Sequence, residues 1–138
     1  MSDIIPEMLR SSKTIAVVGL SSKRYRPSFG VSQYMQHAGY RIIPVNPNET
    51  EVLGERSYPT LREVPSDVPI DVVDVFRRAE ETPAVARDAV AVGARVLWLQ
   101  EGIVSEEAAR IAAEGGLDVI MGVCIRHVRA RLMGEEIA

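Results

Sequence analysis

The amino-acid sequence predicts an α/β fold built on a doubly wound, parallel sheet of about five strands with helices on both faces. Short apolar segments rich in β-branched residues recur along the chain, and amphipathic segments separate them. A strand–helix alternation of this kind favours parallel strands joined by helical crossovers. The length of 138 residues fits one domain of ~100–200 residues, so we expect residues 1–138 to form a single domain.

Five segments are predicted to be buried strands, because each is apolar and too short for a typical helix. Pro44 counts mildly against the second of them, since proline cannot donate to a strand ladder. An open sheet of such strands with helices between them is Rossmann-like. The predicted strands are 14–18, 42–45, 71–76, 95–99 and 118–121.

The segments between the strands predict helices from their start and stop residues. Ser28 is predicted to N-cap the first helix, and Gly39 ends it. Thr82 is predicted to N-cap the second, with Pro83 at its first helical position. Ser105 is predicted to N-cap the third, because two glutamates follow in its first turn. Glycines end the second and third helices at 93 and at 115–116, and shorter helical segments are predicted at 60–64 and 125–133.

The composition is that of an ordinary globular chain, with 46% hydrophobic and 25% charged residues. No apolar run approaches the ~18 residues of a membrane span, and no signal-peptide pattern is present. The single cysteine, Cys124, excludes an internal disulfide and argues against a cysteine-rich zinc site. We expect a cytoplasmic protein with no membrane or metal partner. Its net charge of −3 argues against a nucleic-acid partner.

The charge is unevenly distributed along the chain. No Asp or Glu lies between Met8 and Asn48, where six basic residues give a net charge of +6. The rest of the chain has ten basic and 19 acidic residues, a net charge of −9. Such a segment suggests an anionic ligand, although a solvated basic face arising by chance is the alternative. The six basic residues are Arg10, Lys13, Lys23, Arg24, Arg26 and Arg41.

The ends of the predicted strands bring several cations to one edge of the sheet. Ligands of such sheets bind outside the carboxyl ends of the strands, near the switch in strand order. Segments 19–28, 46–48, 76–78 and 100–102 follow the first four strands. This placement weakens the chance alternative, because it gathers Lys23, Arg24, Arg26, Arg77 and Arg78 at the carboxyl edge.

The loop after the first strand is predicted to bind phosphate. Gly19 allows a sharp turn, and Ser21, Ser22 and free backbone N–H groups can donate to phosphate oxygens. The helix start near Ser28 adds donors and the positive end of the helix dipole. With the cationic side chains nearby, these features indicate a polyphosphorylated nucleotide.

Sharper motifs do not match this loop. Arg24 replaces the second glycine of the nucleoside-triphosphatase phosphate loop, and Ser21 replaces the second glycine of the dinucleotide fingerprint. Asn46-Pro47, at the end of the second strand, offers no acid for ribose hydroxyls, which also disfavours a dinucleotide site. A nicotinamide-nucleotide-binding enzyme or sensor is kept as the alternative. Lys23 replaces the closing glycine of a nucleophile elbow, which disfavours a serine hydrolase.

Four motifs in order resemble the CoA-binding domain family, and its small stand-alone members most closely. The family includes the N-terminal domain of the succinyl-CoA synthetase α subunit. The motifs are Gly-Leu-Ser at 19–21, Val-Asn-Pro at 45–47, the strand at 71–76 with its following arginine, and Gln-Glu-Gly-Ile at 100–103. The resemblance spans residues 13–134 and implies coenzyme A, free or acylated, as the ligand.

The resemblance also implies where the ligand lies. The loop opened by Gly19 would hold CoA phosphates, the turn after the second strand would flank the nucleotide, and the later motifs would meet the adenine and the rest of the cofactor. The synthetase loop is shorter and richer in glycine, and the synthetase phosphohistidine belongs to a domain outside the match. The resemblance therefore implies a binding module with no catalytic residue. Its predicted ligand-binding residues are Gly19, Ser21, Ser22, Lys23, Arg24, Asn46, Pro47, Phe76, Arg77, Leu99, Gln100 and Glu101.

Other polar residues have simpler interpretations. Cys124 follows the last strand, where it could face a cofactor thiol, although a small buried thiol is the more common outcome. His37 and His127 lack spaced partners and are interpreted as structural or surface residues. Adjacent Glu80 and Glu81 are interpreted as solvated charge. A regulatory interaction module with an empty nucleotide site is a third hypothesis.

Overall fold

The computed structural model describes residues 4–134 of the chain. Five parallel strands form its central sheet. The strands are β1 (Thr14–Val18), β2 (Arg41–Val45), β3 (Glu51–Val52), β4 (Glu55–Arg56), β5 (Val72–Val75), β6 (Val96–Leu99) and β7 (Asp118–Met121). The central sheet has the order β2-β1-β5-β6-β7, which confirms the predicted α/β class. A separate two-stranded antiparallel hairpin, not predicted from sequence, is formed by β3 and β4.

Helices cover both faces of the sheet, as predicted. One face packs against α1 (Ile4–Ser11), α2 (Pro27–His37) and α5 (Ile125–Leu132), and α1 was not predicted. The opposite face packs against α3 (Thr82–Ala91) and α4 (Glu106–Glu114). Successive strand residues alternate between the two cores, as the pleat of a strand requires. Two short 3₁₀ turns, Leu61–Glu63 and Ala79–Glu81, complete the connections.

Two helix starts differ from the prediction. The first helix begins two residues earlier than expected, with Arg26 in place of Ser28 as N-cap, and the Oγ of Ser28 accepts a hydrogen bond from the Ser21 N–H at 3.1 Å. Thr82 is already helical, because the preceding 3₁₀ turn continues into α3, and its hydroxyl donates to the Ala79 carbonyl at 2.7 Å. The predicted Ser105 cap is confirmed, since its Oγ accepts from the Ala108 N–H.

The strand order changes direction at β1, which lies between β2 and β5. The carboxyl ends of β1 and β5 meet closely here, because the Phe76 N–H donates to the Val18 carbonyl at 2.9 Å. Gly19 follows β1 with a φ of +92°, and a Cβ at this position would lie 2.5 Å from the Phe76 carbonyl oxygen. Glycine is therefore required by both the backbone conformation and the close approach. This point is the switch in strand order at which doubly wound sheets bind ligands.

Candidate functional site

Two adjoining cavities form a groove along the carboxyl edge of the sheet. The basic cavity, about 360 Å³, lies at the switch point and is walled by Gly19, Ser21 and the arginines at 26, 77 and 78. The large cavity, about 540 Å³, continues past the ends of β5 and β6 toward α5. We call the two together the groove, because they share the wall formed by Arg26, Pro27, Phe76 and Ile103.

A third cavity, the side cavity of about 310 Å³, lies beyond Arg77, which also lines the basic cavity. Its apolar walls come from Val18 and Val45 at the ends of β1 and β2, from Leu61, and from Val85 on α3. It therefore opens at the carboxyl edge on the face of the sheet that α3 covers. Arg77 is thus the wall that the side cavity and the basic cavity share.

Arginines stacked on aromatic rings surround the large cavity. The guanidinium of Arg24 lies 5.4 Å from the centre of the Phe29 ring. The guanidinium of Arg126 lies 5.3 Å from the centre of the Tyr34 ring. Such stacking holds a long cationic side chain in place while leaving its donors available. Arg126 was not among the predicted site residues, although it closely follows the last strand, as the other site segments follow theirs.

The two arginines after β5 are partly neutralised by the chain itself. Arg78 lies 2.9 Å from a carboxylate oxygen of Glu81, and Arg77 lies 3.7 Å from the other. Glu80 lies 3.7 Å from Arg78 and is exposed, as expected for solvated charge, whereas Glu81 is half-buried between the two arginines. The hydrogen bond to Glu81 raises the pKa of Arg78. The 3₁₀ turn over 79–81 brings these acids back to the arginines, and a ligand phosphate must compete with them.

The polar groups of the first loop are already bonded within the chain. The Ser21 N–H donates to Ser28, and the Lys23 N–H donates to the Ser21 hydroxyl at 3.1 Å. Ser22 donates both its N–H and its hydroxyl to one carboxylate oxygen of Glu49, at 2.8 and 2.9 Å. The N–H groups of Ser21, Ser22 and Lys23 are therefore not among the free backbone donors predicted for this loop. Glu49 directly follows the acid-free segment in sequence. No sequence pattern near it predicts that it contacts this loop.

The turn after β2 is tied to the same loop. The side chain of Asn46 donates to the Leu20 carbonyl at 3.0 Å and accepts from the Asn48 N–H at 2.9 Å. Asn46 thus holds two segments together, and Pro47 beside it is exposed. The walls of the groove and of the side cavity do not include Ser22, Lys23, Asn46 or Pro47.

The end of β6 and the loop after it contribute two of their three predicted residues to the groove. Gln100 is 4% exposed and lines the large cavity, where its side-chain oxygen accepts from the Ile125 N–H at 3.0 Å. Glu101 is exposed at the same wall. Leu99 is fully buried in the core against α3 and α4, so its side chain does not reach the groove. Strand alternation explains this, because Leu99 shares a face with Leu97.

The fold and the groove agree with a family match. The family model described as CoA binding domain matches residues 13–129. The chain belongs to the CoA-binding domain family. The uncharacterized protein YneT of Bacillus subtilis (strain 168) is 49% identical to this CoA-binding domain over 126 residues, 91% of this chain and 92% of that protein.

Solved structures and a larger enzyme match the same CoA-binding domain. A hypothetical protein from Pyrococcus horikoshii OT3 is 36% identical, with a TM-score of 0.92 over 97% of this chain and 93% of that one. A protein from Thermus thermophilus is 30% identical, with a TM-score of 0.90 over 96% of this chain and 98% of that one. An ADP-forming acetate–CoA ligase of Archaeoglobus fulgidus is 31% identical over 65 residues, which are 46% of this chain and 10% of the ligase.

The far end of the groove in this CoA-binding domain holds a thiol and an imidazole. Cys124 is buried and lines the large cavity together with exposed His127, which had been interpreted as structural or surface. Both residues and Glu101 also line an adjoining recess of about 200 Å³. Among residues 4–134, no three His, Cys, Asp or Glu side chains cluster as metal ligands would, and no helix is long and apolar enough to cross a bilayer.

Proposed function

We propose that this chain is a cytoplasmic binding module for coenzyme A, free or acylated. The observation that carries the proposal is the groove, which joins an arginine-lined cavity at the switch point to a larger cavity ending at Cys124. Coenzyme A has the same division, with phosphates at one end and a pantetheine thiol at the other. The local identity to an acetate–CoA ligase supports the same ligand class.

The basic cavity suits the phosphates. They carry about three to four negative charges at neutral pH, since a second phosphate ionisation lies near pH 6. Arg26, Arg77 and Arg78 line this cavity with Ser21, and the ion pairs of Arg77 and Arg78 leave Arg26 as its strongest cationic contact. Charge-assisted hydrogen bonds from arginine to phosphate are among the stronger contacts available to a protein.

The remaining cavities suit the other parts of the cofactor. The adenine fits the apolar side cavity past Arg77, where Val45, Leu61 and Val85 can pack against its faces. The pantetheine arm fits the large cavity along Phe76 and Gln100. A thiol or a short acyl group would then reach the recess beside Cys124. The phosphohistidine domain of the synthetases lies outside the match, so we propose binding without intrinsic ligase chemistry.

One observation favours a second candidate, a nicotinamide nucleotide. Glu49 supplies an acid shortly after β2, the place where dinucleotide-binding folds hold ribose hydroxyls with a carboxylate. Its Oε2 is bonded to Ser22 in this structure. CoA remains the preferred ligand, because Gly19 alone of the fingerprint glycines is present.

Isothermal titration with CoA, acetyl-CoA, NAD and NADP tests the proposal. We expect CoA or acetyl-CoA to bind with a dissociation constant on the order of micromolar. Arg26→Ala should weaken that binding roughly five- to tenfold, because it removes a charge-assisted contact at a partly exposed wall. Arg41→Ala is the matched control: Arg41 belongs to the same acid-free segment but lies at the other edge of the sheet, 3.4 Å from Glu55.

Each other outcome counts against the proposal. Binding of NAD or NADP without CoA would transfer the function to the second candidate. Binding of none of the four ligands would favour a regulatory module with an empty nucleotide site. CoA binding weakened equally by Arg26→Ala and Arg41→Ala would place the ligand elsewhere or reduce the effect to overall charge.

A further inference from the structure

In the loop after β1, a carboxylate of the chain itself makes the contacts that a bound anion would make. One oxygen of Glu49 accepts both the N–H and the hydroxyl of Ser22, at 2.8 and 2.9 Å. A backbone N–H and a neighbouring hydroxyl converging on one anionic oxygen is the arrangement by which glycine- and serine-containing loops bind phosphate. The loop is therefore built to hold an anion, and the anion it holds is internal.

The turn after β2 places Glu49 there. Asn46 bonds across to the Leu20 carbonyl and within its own turn to the Asn48 N–H. The Glu49 N–H donates to the Asn46 carbonyl at 3.2 Å, which closes the turn and directs the Glu49 side chain toward the loop after β1. The contact thus joins two segments that both follow strands at the switch point, 27 residues apart in sequence.

The Ser22 contact is the exchangeable one among the loop's polar contacts. Ser21 is bonded to Ser28, which is 4% exposed and fixed in the first turn of α2. Ser22 is exposed and Glu49 is only half-buried, so water and ligand can reach both. A solvated carboxylate on a turn can leave at small cost, whereas the buried Ser21–Ser28 contact cannot.

We propose that Glu49 is an affinity- and specificity-determining residue that competes with ligand phosphate for Ser22. A phosphate binds this part of the loop only when Glu49 moves away, since two anions cannot share the same donors without repulsion. Glu49 thereby weakens binding of any phosphate that extends from Ser21, at the wall of the basic cavity, to Ser22. The identity of the nucleotide rests on the proposed function, but the competition for Ser22 does not.

The test compares Glu49→Gln with Glu51→Gln, which makes the same charge change at an exposed hairpin position two residues later. Titration calorimetry gives the dissociation constants of CoA and of 3′-dephospho-CoA for each variant. In parallel, inorganic pyrophosphate is titrated while the amide resonance of Ser22 is followed by ¹⁵N NMR. The pyrophosphate arm reads the loop directly and needs no nucleotide to bind.

We expect Glu49→Gln to tighten CoA binding about five- to tenfold and to shift the Ser22 amide at correspondingly lower pyrophosphate concentration. Glu51→Gln should match the wild type in both measurements. A larger gain for CoA than for 3′-dephospho-CoA would identify the 3′-phosphate as the group that displaces Glu49, and equal gains would identify the pyrophosphate of CoA.

The arms separate this inference from the proposed function. If CoA binds to neither protein but pyrophosphate binds more tightly to Glu49→Gln, the competition stands and the CoA assignment fails. If CoA binds and Glu49→Gln leaves its affinity unchanged or weaker, Glu49 supports the loop or the ligand and the inference is overturned. If neither CoA nor pyrophosphate binds to either protein, both fail.

Discussion

At both edges of the sheet one carboxylate oxygen accepts two hydrogen bonds, but the two contacts have different roles. At the amino edge, one oxygen of Asp71 accepts the N–H groups of Lys13 and Thr14, at 2.8 and 3.0 Å. At the carboxyl edge, one oxygen of Glu49 accepts two donors of Ser22. The partners of Asp71 lie at the start of β1, whereas Ser22 lies on an exposed loop beside the groove. The position of its two donors thus decides whether such a carboxylate stabilises the fold or lies where a ligand can displace it.

Glycines at the two edges show the same contrast. Gly39 precedes β2 with a φ of +110°, and a Cβ there would meet nothing within 4 Å. Gly19 follows β1 with a φ of +92°, and a Cβ there would press on the backbone of Phe76. Both positions favour glycine for conformational reasons, but of the two only Gly19 has a steric reason as well, because the ends of β1 and β5 meet closely there.

Gly19→Ala should have the largest effect of the changes considered. Backbone strain alone costs about 1–2 kcal/mol for a non-glycine residue at positive φ, and the contact with a main-chain oxygen brings the loss of unfolding free energy to about 3 kcal/mol or more. CoA binding should be lost with it. Gly39→Ala should cost only the strain. Equal losses by urea unfolding would show that the approach of Gly19 to Phe76 imposes no constraint of its own.

A third carboxyl lies between the edges and has one oxygen without a hydrogen-bond partner. Asp74, in the middle of β5, is 1% exposed, and its Oδ1 is buried without a hydrogen bond. Burial raises the pKa of Asp74 well above its usual value, and a hydrogen bond from the Val75 backbone offsets this only in part. The protonated form is therefore the one that the folded chain favours.

Asp74→Asn should change how stability depends on pH. A raised folded pKa means that the native chain binds more protons than the unfolded chain above the unfolded pKa of about 3.9, so wild-type stability falls as pH rises through that window. The variant lacks this titration. The difference between its free energy of unfolding and that of the wild type should therefore grow in the variant's favour, by up to about 1.4 kcal/mol per pH unit, from pH 4 up to the raised pKa of Asp74. Urea unfolding at successive pH values measures the difference, and parallel curves would refute it.

Much of the architecture was predictable because its signals are local. Each strand is an apolar run bounded by turn residues, and the ends of successive strands identified the carboxyl edge before any pairing was known. The burial of Leu99 was also within reach, since a period of two puts it on the face of Leu97. The pairing of Arg77 with Glu81 follows an i,i+4 spacing that sequence reasoning could have used.

The rest of the site depends on contacts between distant segments. No pattern near Glu49 indicates that it meets Ser22, because the contact requires the turn after β2 to fold against the loop after β1. The cavity walls from Arg126 and His127 require α5 to pack beside α2 at the same edge. Composition predicted an anion site in this region, but only the tertiary structure shows which donors are already taken.

Asp71→Asn and Glu49→Gln give the smallest and most direct comparison of the two edges. Asp71→Asn should lower the unfolding free energy by about 1–2 kcal/mol, because it weakens two hydrogen bonds at the start of β1. It also removes the charge that Arg95 approaches at 3.8 Å. Glu49→Gln should cost less than about 0.5 kcal/mol, since its partners are exposed. A loss from Glu49→Gln as large as that from Asp71→Asn would make Glu49 a structural residue like Asp71, and the distinction between the edges would disappear.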